Sequence, residues 1–290
     1  MTHYMPGVPQ VTRQVPVYAA GELSVLPDHP VVIRGFRPEL DCRSIEDLLL
    51  AAGSPTISGS RDGDICEYFE LPSDQVARQF RAGTLGFNVV DSYVESGALT
   101  IPPVIGAKNL LLCSEATRHY EKSLIITRRG TFTRTHSDAG GLGGWMFLFA
   151  GRKIWHLWDR VWFPLLYDVV NETCFDEFAH PHPDAEYRRI LEELPRWEAS
   201  IGAGELLWFP EAWPHRVWTT EDAYGYGGST LDEERLGHAV EAILRDQRLG
   251  FPDSLHIVSF LNELMATDQL PAEPYLQRIE EVRRAWEKNR

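Results

Sequence analysis

The sequence predicts a mainly β protein, an antiparallel sandwich or barrel followed by a helical C-terminal region. Short runs of aliphatic, β-branched and aromatic residues fill the segment from 110 to 230, and Gly-containing turns separate several of them. Many short strands joined by tight turns are typical of antiparallel sandwiches and barrels. After residue 231 the apolar residues recur at helical spacing instead.

The N-terminal part mixes short elements, and we expect this mixed α/β segment, residues 1–109, to support the barrel. Residues 30–34 (PVVIR) predict a buried strand. Residues 44–52 predict a short helix, because a capping serine opens the run and a glycine follows it. Residues 73–81 predict a second helix with Ser73 as its N-cap.

The predicted barrel core spans residues 110–230 and carries most of the strand signals. Its strands are predicted at 110–113, 123–129, 132–138, 145–149, 153–158, 196–201, 205–210, 215–220 and 223–228. Residues 160–195 break this pattern with acidic and proline-containing sequence, so we interpret them as an insertion.

The C-terminal region, residues 231–290, predicts helices at 232–249, 253–265 and 273–289. The last of them carries one apolar stripe, with residues repeating at intervals of three and four. Docking of this helix on the barrel is favoured over the alternative, a homodimer formed through the C-terminal helices.

Composition limits the classes of function. A chain of 290 residues with 43% hydrophobic and 24% charged residues builds a full core. Its net charge of −14 argues against nucleic-acid binding, but leaves room for a basic partner or for a small substrate in a locally basic pocket. No apolar run approaches the roughly 18 residues of a membrane span. The four scattered cysteines, without a CxxC pair, and the lack of signal-peptide features predict a reducing, cytoplasmic location.

A metal site is the first chemical hypothesis. His136 and Asp138 are two residues apart on a predicted strand, so their side chains should share one face. With one further histidine they would form the two-histidine, one-carboxylate triad that suits Fe(II). A glycine-rich run, residues 139–144, follows, and His215 begins a later strand directly after Pro214. The alternatives are a surface histidine, a turn aspartate and a rim histidine packed on tryptophans.

An anion receptor is the second hypothesis. Lys153, seventeen residues after His136, begins an apolar, tryptophan-rich strand, where a buried ammonium beside a metal would suit a dicarboxylate. The alternative is a hairpin lysine whose amine reaches solvent. Thr133 would add a hydroxyl donor, but strict alternation puts it on the face opposite His136 unless a bulge intervenes. A further metal-like pair, His180 and His182, lies in the insertion without strand context and is the weaker candidate.

Several motifs, taken in order and spacing, resemble the JmjC (cupin-like) Fe(II)/2-oxoglutarate oxygenases. The residues around His136 and the glycine pairs are most similar to the histone demethylase branch. The resemblance covers most of 110–230, with fainter support upstream. It runs through 130–141 (GTFTRTHSDAGG), 145–158, 204–215 (GELLWFPEAWPH), 224–228 (YGYGG) and the upstream 30–35 (PVVIRG).

The resemblance implies a double-stranded β-helix, a jelly-roll or cupin-like core, with catalytic iron held by His136, Asp138 and His215. It also implies that Thr133 and Lys153 bind the distal carboxylate of 2-oxoglutarate. Such an enzyme uses O2 to hydroxylate an unactivated C–H bond and releases succinate and CO2. The chain departs from the demethylase branch in having Met146 where the branch has Tyr, and Ser229 where it has Asn.

Substrate class stays open at this point. The departures and the absence of chromatin modules favour a small molecule, an amino acid or a peptide, as in natural-product tailoring. The alternative is a protein side-chain hydroxylase or an N-methyl-lysine demethylase, whose basic substrate would suit the acidic surface. A tRNA hydroxylase fits the charge less well. From other classes, a catalytically silent cupin-like binding protein and a metal-dependent cupin enzyme without 2-oxoglutarate remain alternatives.

Overall fold

A large mixed β-sheet dominates the fold. The structure is a computed structural model, and it describes residues 12–61, 64–94, 97–114, 117, 120–163, 166, 191–249, 255–266 and 284. Within these residues, ten strands join the main sheet, and two more form a separate hairpin. The mainly β prediction with a jelly-roll, cupin-like core is confirmed.

The strands have the following bounds in chain order. They are β1 (Thr12–Gln14), β2 (Val17–Ala19), β3 (Val31–Arg34), β4 (Thr56–Arg61), β5 (Asp64–Pro72), β6 (Val89–Tyr93), β7 (Ser123–Thr127), β8 (Phe132–His136), β9 (Gly143–Trp158), β10 (Arg196–Gly202), β11 (Glu205–Phe209) and β12 (His215–Thr230). Strands β4 and β5 form the separate hairpin.

Strand β9 lies at the centre of the main sheet. The path runs β2-β3-β11-β9-β12-β7-β6, while β10 also pairs with β9, and β8 pairs with β12. All these pairs are antiparallel except β2 with β3, and β1 with β10. Because β9 and β12 are long and pair along most of their length, they bring β8, β10 and the end of β11 around one interior.

The helices are α1 (Ile45–Ala52), α2 (Ser73–Ala82), α3 (Pro103–Gly106), α4 (Leu236–Leu249) and α5 (Leu255–Ala266). Helix α1 begins at a capping box between Ser44 and Asp47 and ends at Gly53, whose φ of 70° suits a left-handed cap. The predicted cap of α2 is wrong: Pro72 holds the N-cap position, and the Ser73 hydroxyl donates to the Pro55 carbonyl instead. Among the described helices, none has the length and apolar character to cross a membrane.

Two predicted strand boundaries are wrong, because the structure has one strand where the sequence suggested two. Residues 145–149 and 153–158 belong to the single strand β9, and 215–220 and 223–228 belong to β12. Gly151, the expected turn, has a φ of 83° inside β9, and a Cβ there would collide with the backbone of Asp222 on β12. The glycine therefore permits a bend and a close strand approach without ending the strand.

The predicted strand at 110–113 is also wrong: these residues form a short 3-10 helix. The Asn109 side chain accepts hydrogen bonds from the backbone N–H groups of Leu111 and Leu231. This local cap satisfies the Leu111 N–H, so an apolar run that is compatible with a strand folds as a helical turn.

Three apolar clusters hold the elements together. One fills the interior of the barrel, a second packs the opposite sheet face against α1 and α2, and a third joins α4 and α5 to the loop before β9. The interior cluster includes Met146, Leu148, Trp155, Leu157, Ile201, Leu207, Phe209 and Val217. Most of the predicted insertion at 160–195 and nearly all of the predicted helix 273–289 lie outside the described residues, and the proposed domain borders stay predictions.

Candidate functional site

Three side chains with metal-ligand atoms meet at one end of the barrel interior. The ligand atoms of His136, Asp138 and His215 all lie within 4.8 Å of one another. Asp138 Oδ1 is 3.5 Å from His136 Nε2 and 3.8 Å from His215 Nε2. Within the described part of the chain, no other group of three or more His, Cys, Asp and Glu side chains converges in this way.

Two strand ends and one turn build this cluster. His136 is the last residue of β8 and lies directly opposite His215, the first residue of β12. Asp138 falls just after β8, in a turn where the Gly141 N–H donates to the Asp138 carbonyl at 2.9 Å. The turn, rather than strand alternation as the sequence suggested, therefore brings the carboxylate back beside His136.

The hydrogen bonding of His215 leaves one ring nitrogen available as a ligand. Its Nδ1 is 3.0 Å from the Trp213 carbonyl, which can only accept, so Nδ1 carries the proton. Nε2 then presents its lone pair towards Asp138. Burial, together with the charge of His136, lowers the pKa of His215 to about 4, so the ring is neutral near pH 7.

The carboxylate of the cluster is ionised. Burial raises the pKa of Asp138, but the hydrogen bond with His136 and the attraction of both imidazoles in their protonated forms outweigh burial, and the net pKa lies below the ordinary value. A carboxylate beside imidazoles is in the protonation state that metal binding requires. Two nitrogen ligands and one oxygen ligand form a donor set that fits Fe(II).

Glycines leave the space that this end of the barrel needs. A Cβ on Gly144 would lie 3.2 Å from Asp138 Oδ2 and 2.5 Å from the Phe209 ring. Gly140 and Gly141 instead face α4 and α5, and both have positive φ values. Their role is close packing of the loop against the helices, and Gly144 is the member of the run that adjoins the carboxylate.

Lys153 lies deep in the same interior. Its side chain is 2% exposed, so the amine does not reach solvent as the alternative interpretation required. Its Nζ donates to Thr219 Oγ1 at 3.2 Å, and Thr219 Oγ1 donates to Thr127 Oγ1 at 3.0 Å. The strands that carry these groups also carry apolar residues of the interior cluster, such as Trp155, Val217 and Ile125, and a buried ammonium in such an interior favours an anionic ligand.

A β-bulge resolves the difficulty with Thr133. Thr133 pairs with Val217, and His136 pairs with His215. Between these two pairs, β8 therefore advances by three residues and β12 by two. Since paired residues share a face, Thr133 and His136 point to the same side. Lys153 pairs with Thr219, two residues further along β12 on that side. The structure thus brings Thr133 to the interior face, between the histidine pair and Lys153.

The remaining candidates take other positions. His156 lies on the opposite face of β9, where its Nε2 is 3.0 Å from Glu198 Oε2, and its Nδ1 accepts from Arg216. Met146 points into the interior cluster and is 8% exposed. The Ser229 carbonyl accepts from the Asn109 side chain at 3.0 Å. His180 and His182 lie outside the described residues.

Sequence reasoning missed the residues that support the candidate ligands. These are Trp213, whose carbonyl orients His215, and the hydroxyl pair Thr219 and Thr127. Gly144 belongs to the glycine-rich run that the sequence singled out, although the run did not show which glycine adjoins the carboxylate. Thr219 carried a usable signal, because it lies four residues after His215 and alternation puts both on one strand face. No sequence pattern pointed to Thr127, which reaches Thr219 from another strand.

Comparison with known proteins gives partial similarities, and no family model matches the chain. It is 23% identical over 134 residues to lysine-specific demethylase 7B of Danio rerio, an alignment that covers 46% of this chain and 22% of that protein. It is 25% identical over 136 residues to lysine-specific demethylase 7A of Xenopus tropicalis, covering 46% of this chain and 14% of the relative.

A third relative carries a broader name. The chain is 30% identical over 95 residues to the 2-oxoglutarate and iron-dependent oxygenase JMJD4 of Gallus gallus, which covers 32% of this chain and 22% of that protein. The chain therefore spans less than a quarter of the length of each of these relatives. Along one part of its length, the chain is similar to two lysine-specific demethylases and to a 2-oxoglutarate and iron-dependent oxygenase.

Proposed function

We propose that this protein is an Fe(II)- and 2-oxoglutarate-dependent oxygenase that hydroxylates a C–H bond of a small molecule, an amino acid or a peptide. The observation that carries the proposal is the convergence of two imidazoles and a carboxylate in the same interior that buries Lys153. The partial similarity to JmjC-type proteins supports the same reaction class.

In this proposal, His136, Asp138 and His215 hold the iron. When bound with 2-oxoglutarate and O2, the iron supplies the oxidation of the C–H bond, with release of succinate and CO2. Trp213 holds the His215 ring with Nε2 turned to the metal, so the ligand is oriented before the metal arrives. Thr133 and Lys153 bind the distal carboxylate, and the apolar interior excludes water from it.

The route proposed for the substrate rests on the solvent exposure of the metal-binding end of the interior. The side chains of His136 and Asp138 are 33% and 29% exposed, so a substrate can reach the metal-binding end without passing Lys153. An N-methyl-lysine peptide is the second candidate substrate, because two of the relatives are named lysine-specific demethylases and the chain has a net charge of −14.

Anaerobic titration with Fe(II) and 2-oxoglutarate tests the reaction class. We expect a weak visible charge-transfer band in the wild-type protein and its loss in His136→Ala. His156→Gln is the matched control, because His156 is a buried histidine on the other face of β9 and should leave the band intact. Absence of the band in wild type, with no iron retained, would favour the catalytically silent binding protein.

A second experiment separates the two substrate classes. Candidate amino acids, small metabolites and peptides are tested for faster succinate release, and N-methyl-lysine peptides are tested for formaldehyde release. Hydroxylated product without formaldehyde supports the hydroxylase, whereas formaldehyde in step with succinate supports the demethylase. If adding 2-oxoglutarate does not stimulate succinate release, both the hydroxylase and the demethylase are contradicted.

A further inference from the structure

The hydroxyl groups around Lys153 form a directed chain inside the barrel. Lysine has no acceptor, so Thr219 Oγ1 must accept the 3.2 Å hydrogen bond from Nζ. The single Thr219 proton then goes to Thr127 Oγ1, 3.0 Å away. The order of donors in the chain is therefore fixed by the chemistry of its first member.

All three groups are rigidly held. Lys153, Thr219 and Thr127 are 2%, 3% and 1% exposed, and they come from β9, β12 and β7. Lys153 and Thr219 are directly paired across β9 and β12. A threonine has one rotatable side-chain bond and few rotamers, so a hydroxyl bonded on both sides has little freedom to turn.

A flexible ammonium needs such a partner to act as a receptor. The lysine side chain has four rotatable bonds and three N–H donors, and its compact ammonium charge does not favour one direction of binding. The bond to Thr219 fixes one of those donors and therefore limits where the other two can point. Preorganising a charge in this way lowers the cost of binding a ligand to it.

We propose that Thr219, held by Thr127, is a positioning residue that aims the Lys153 ammonium at the distal carboxylate of the cosubstrate. This inference rests on the proposed function, because it assigns Thr219 and Thr127 to the dicarboxylate receptor of the same site. The residues act through Lys153 and are not catalytic.

Cosubstrate binding to the Fe(II)-loaded protein under anaerobic conditions tests this, by calorimetry and by the visible band. Thr219→Val keeps the shape and removes the hydroxyl, and should raise the Kd for 2-oxoglutarate about ten- to hundredfold, the range for a lost hydrogen bond to a charge. Thr219→Ser keeps a hydroxyl and should restore most of the affinity. Thr127→Val, one bond further away, should raise the Kd by a smaller factor.

The matched control is Thr220→Val. Thr220 is the next residue of β12, and its hydroxyl donates to the Arg152 backbone carbonyl on the other side of the strand. This change should leave the Kd within about twofold of wild type, since a surface substitution of this kind has little effect.

A second ligand separates positioning from general damage. 2-Oxopentanoate has the same chain length as 2-oxoglutarate but no distal carboxylate, so its binding should not change in Thr219→Val. Equal losses for both ligands would overturn the proposal, and so would an unchanged Kd for 2-oxoglutarate. If Thr219→Val does not fold, as its thermal melting would show, the same comparison is made with Thr127→Val.

The failure of the proposed function would look different. In that case wild-type protein itself would bind neither Fe(II) nor 2-oxoglutarate. Wild-type binding with no selective effect of Thr219→Val or Thr127→Val would leave the oxygenase intact and remove only the positioning role.

Discussion

The two ends of the barrel interior are built differently. At the open end, His136 closes a strand and Asp138 sits in a turn, and their side chains are about a third exposed. At the closed end, Lys153 and Thr219 are paired within two long strands and are at most 3% exposed. His215 joins the two ends, because it is itself 3% exposed and begins the strand that carries Thr219.

The regularity of the backbone at each end matches the function proposed for that end. An end that exchanges metal and substrate needs exposed groups, and loops and strand ends supply them. An end that holds one charge in a fixed place needs a rigid strand ladder, because a lysine that moved would lose its orientation. We therefore expect changes at the open end to affect the metal and changes at the closed end to affect the cosubstrate.

Removing the metal ligand that joins the two ends should have the largest effect. His215→Ala should lower Fe(II) affinity by more than a hundredfold and abolish turnover. Mutation of a residue that only hydrogen-bonds a metal ligand already lowers metal affinity or activity about ten- to a hundredfold. Metal content after gel filtration and equilibrium Fe(II) titration measure this. Metal binding equal to wild type would show that the cluster is not the iron site.

Removing the charge at the closed end should be nearly as severe, but for a different ligand. Lys153→Met should raise the Kd for 2-oxoglutarate about a hundredfold and leave Fe(II) binding unchanged, since truncating a buried charged partner costs several kcal/mol. Arg152→Met is the matched control, because the neighbouring Arg152 side chain is 48% exposed. Loss of iron together with the cosubstrate would contradict the division into two ends.

A smaller effect is expected from crowding the carboxylate. Gly144→Ala would press a methyl group against Asp138 and the Phe209 ring, and should weaken Fe(II) binding about tenfold. The Kd for 2-oxoglutarate of the Fe(II)-loaded protein should change little. Gly86→Ala is the control, because a Cβ there meets nothing within 4 Å. Titration of both variants with Fe(II) decides it, and equal affinities would exclude a role for Gly144 in holding the carboxylate.

The smallest effect concerns the outward face of β9 and the stability of the fold. Burial and the charges of Arg196 and Arg216 lower the pKa of His156 to about 3. The unfolded chain binds a proton near pH 6.5, so the contribution of neutral His156 to stability is present above that pH and is lost as pH falls towards 3.

His156→Gln should therefore make the unfolding free energy less dependent on pH between 6.5 and 3, by up to about 1.4 kcal/mol per pH unit. Denaturant unfolding of the metal-free protein at several pH values measures the slope. A slope identical to wild type would mean that His156 takes up a proton in the folded protein.

Part of the site was predictable from local pattern. The spacing of His136, Asp138 and Lys153 and the proline before His215 raised a metal site and an anion receptor as hypotheses, and the JmjC resemblance implied the full set of ligands and receptor residues. The folded structure brings the three ligand residues together and buries Lys153. Their roles as iron ligands and cosubstrate receptor, and the homodimer, substrate and cytoplasmic location, stay predictions.

Other features depended on contacts between distant strands. The strand at 110–113 became a helical turn because Asn109 caps it, and the turn expected at Gly151 became a bend because β12 passes close beside it. Asn109 adjoins its turn, but its amide oxygen also accepts from the distant Leu231 N–H, and Gly151 meets the distant Asp222. The local sequence therefore shows only part of each cause.

The sequence by itself determined the fold class and the candidate ligand types, because alternation, glycine placement and residue chemistry are local properties. Only the tertiary structure decided that Thr133 faces the interior and that Thr127 reaches Thr219. The bulge in β8 is defined by its register against β12, and the hydroxyl chain joins strands whose register no single strand specifies.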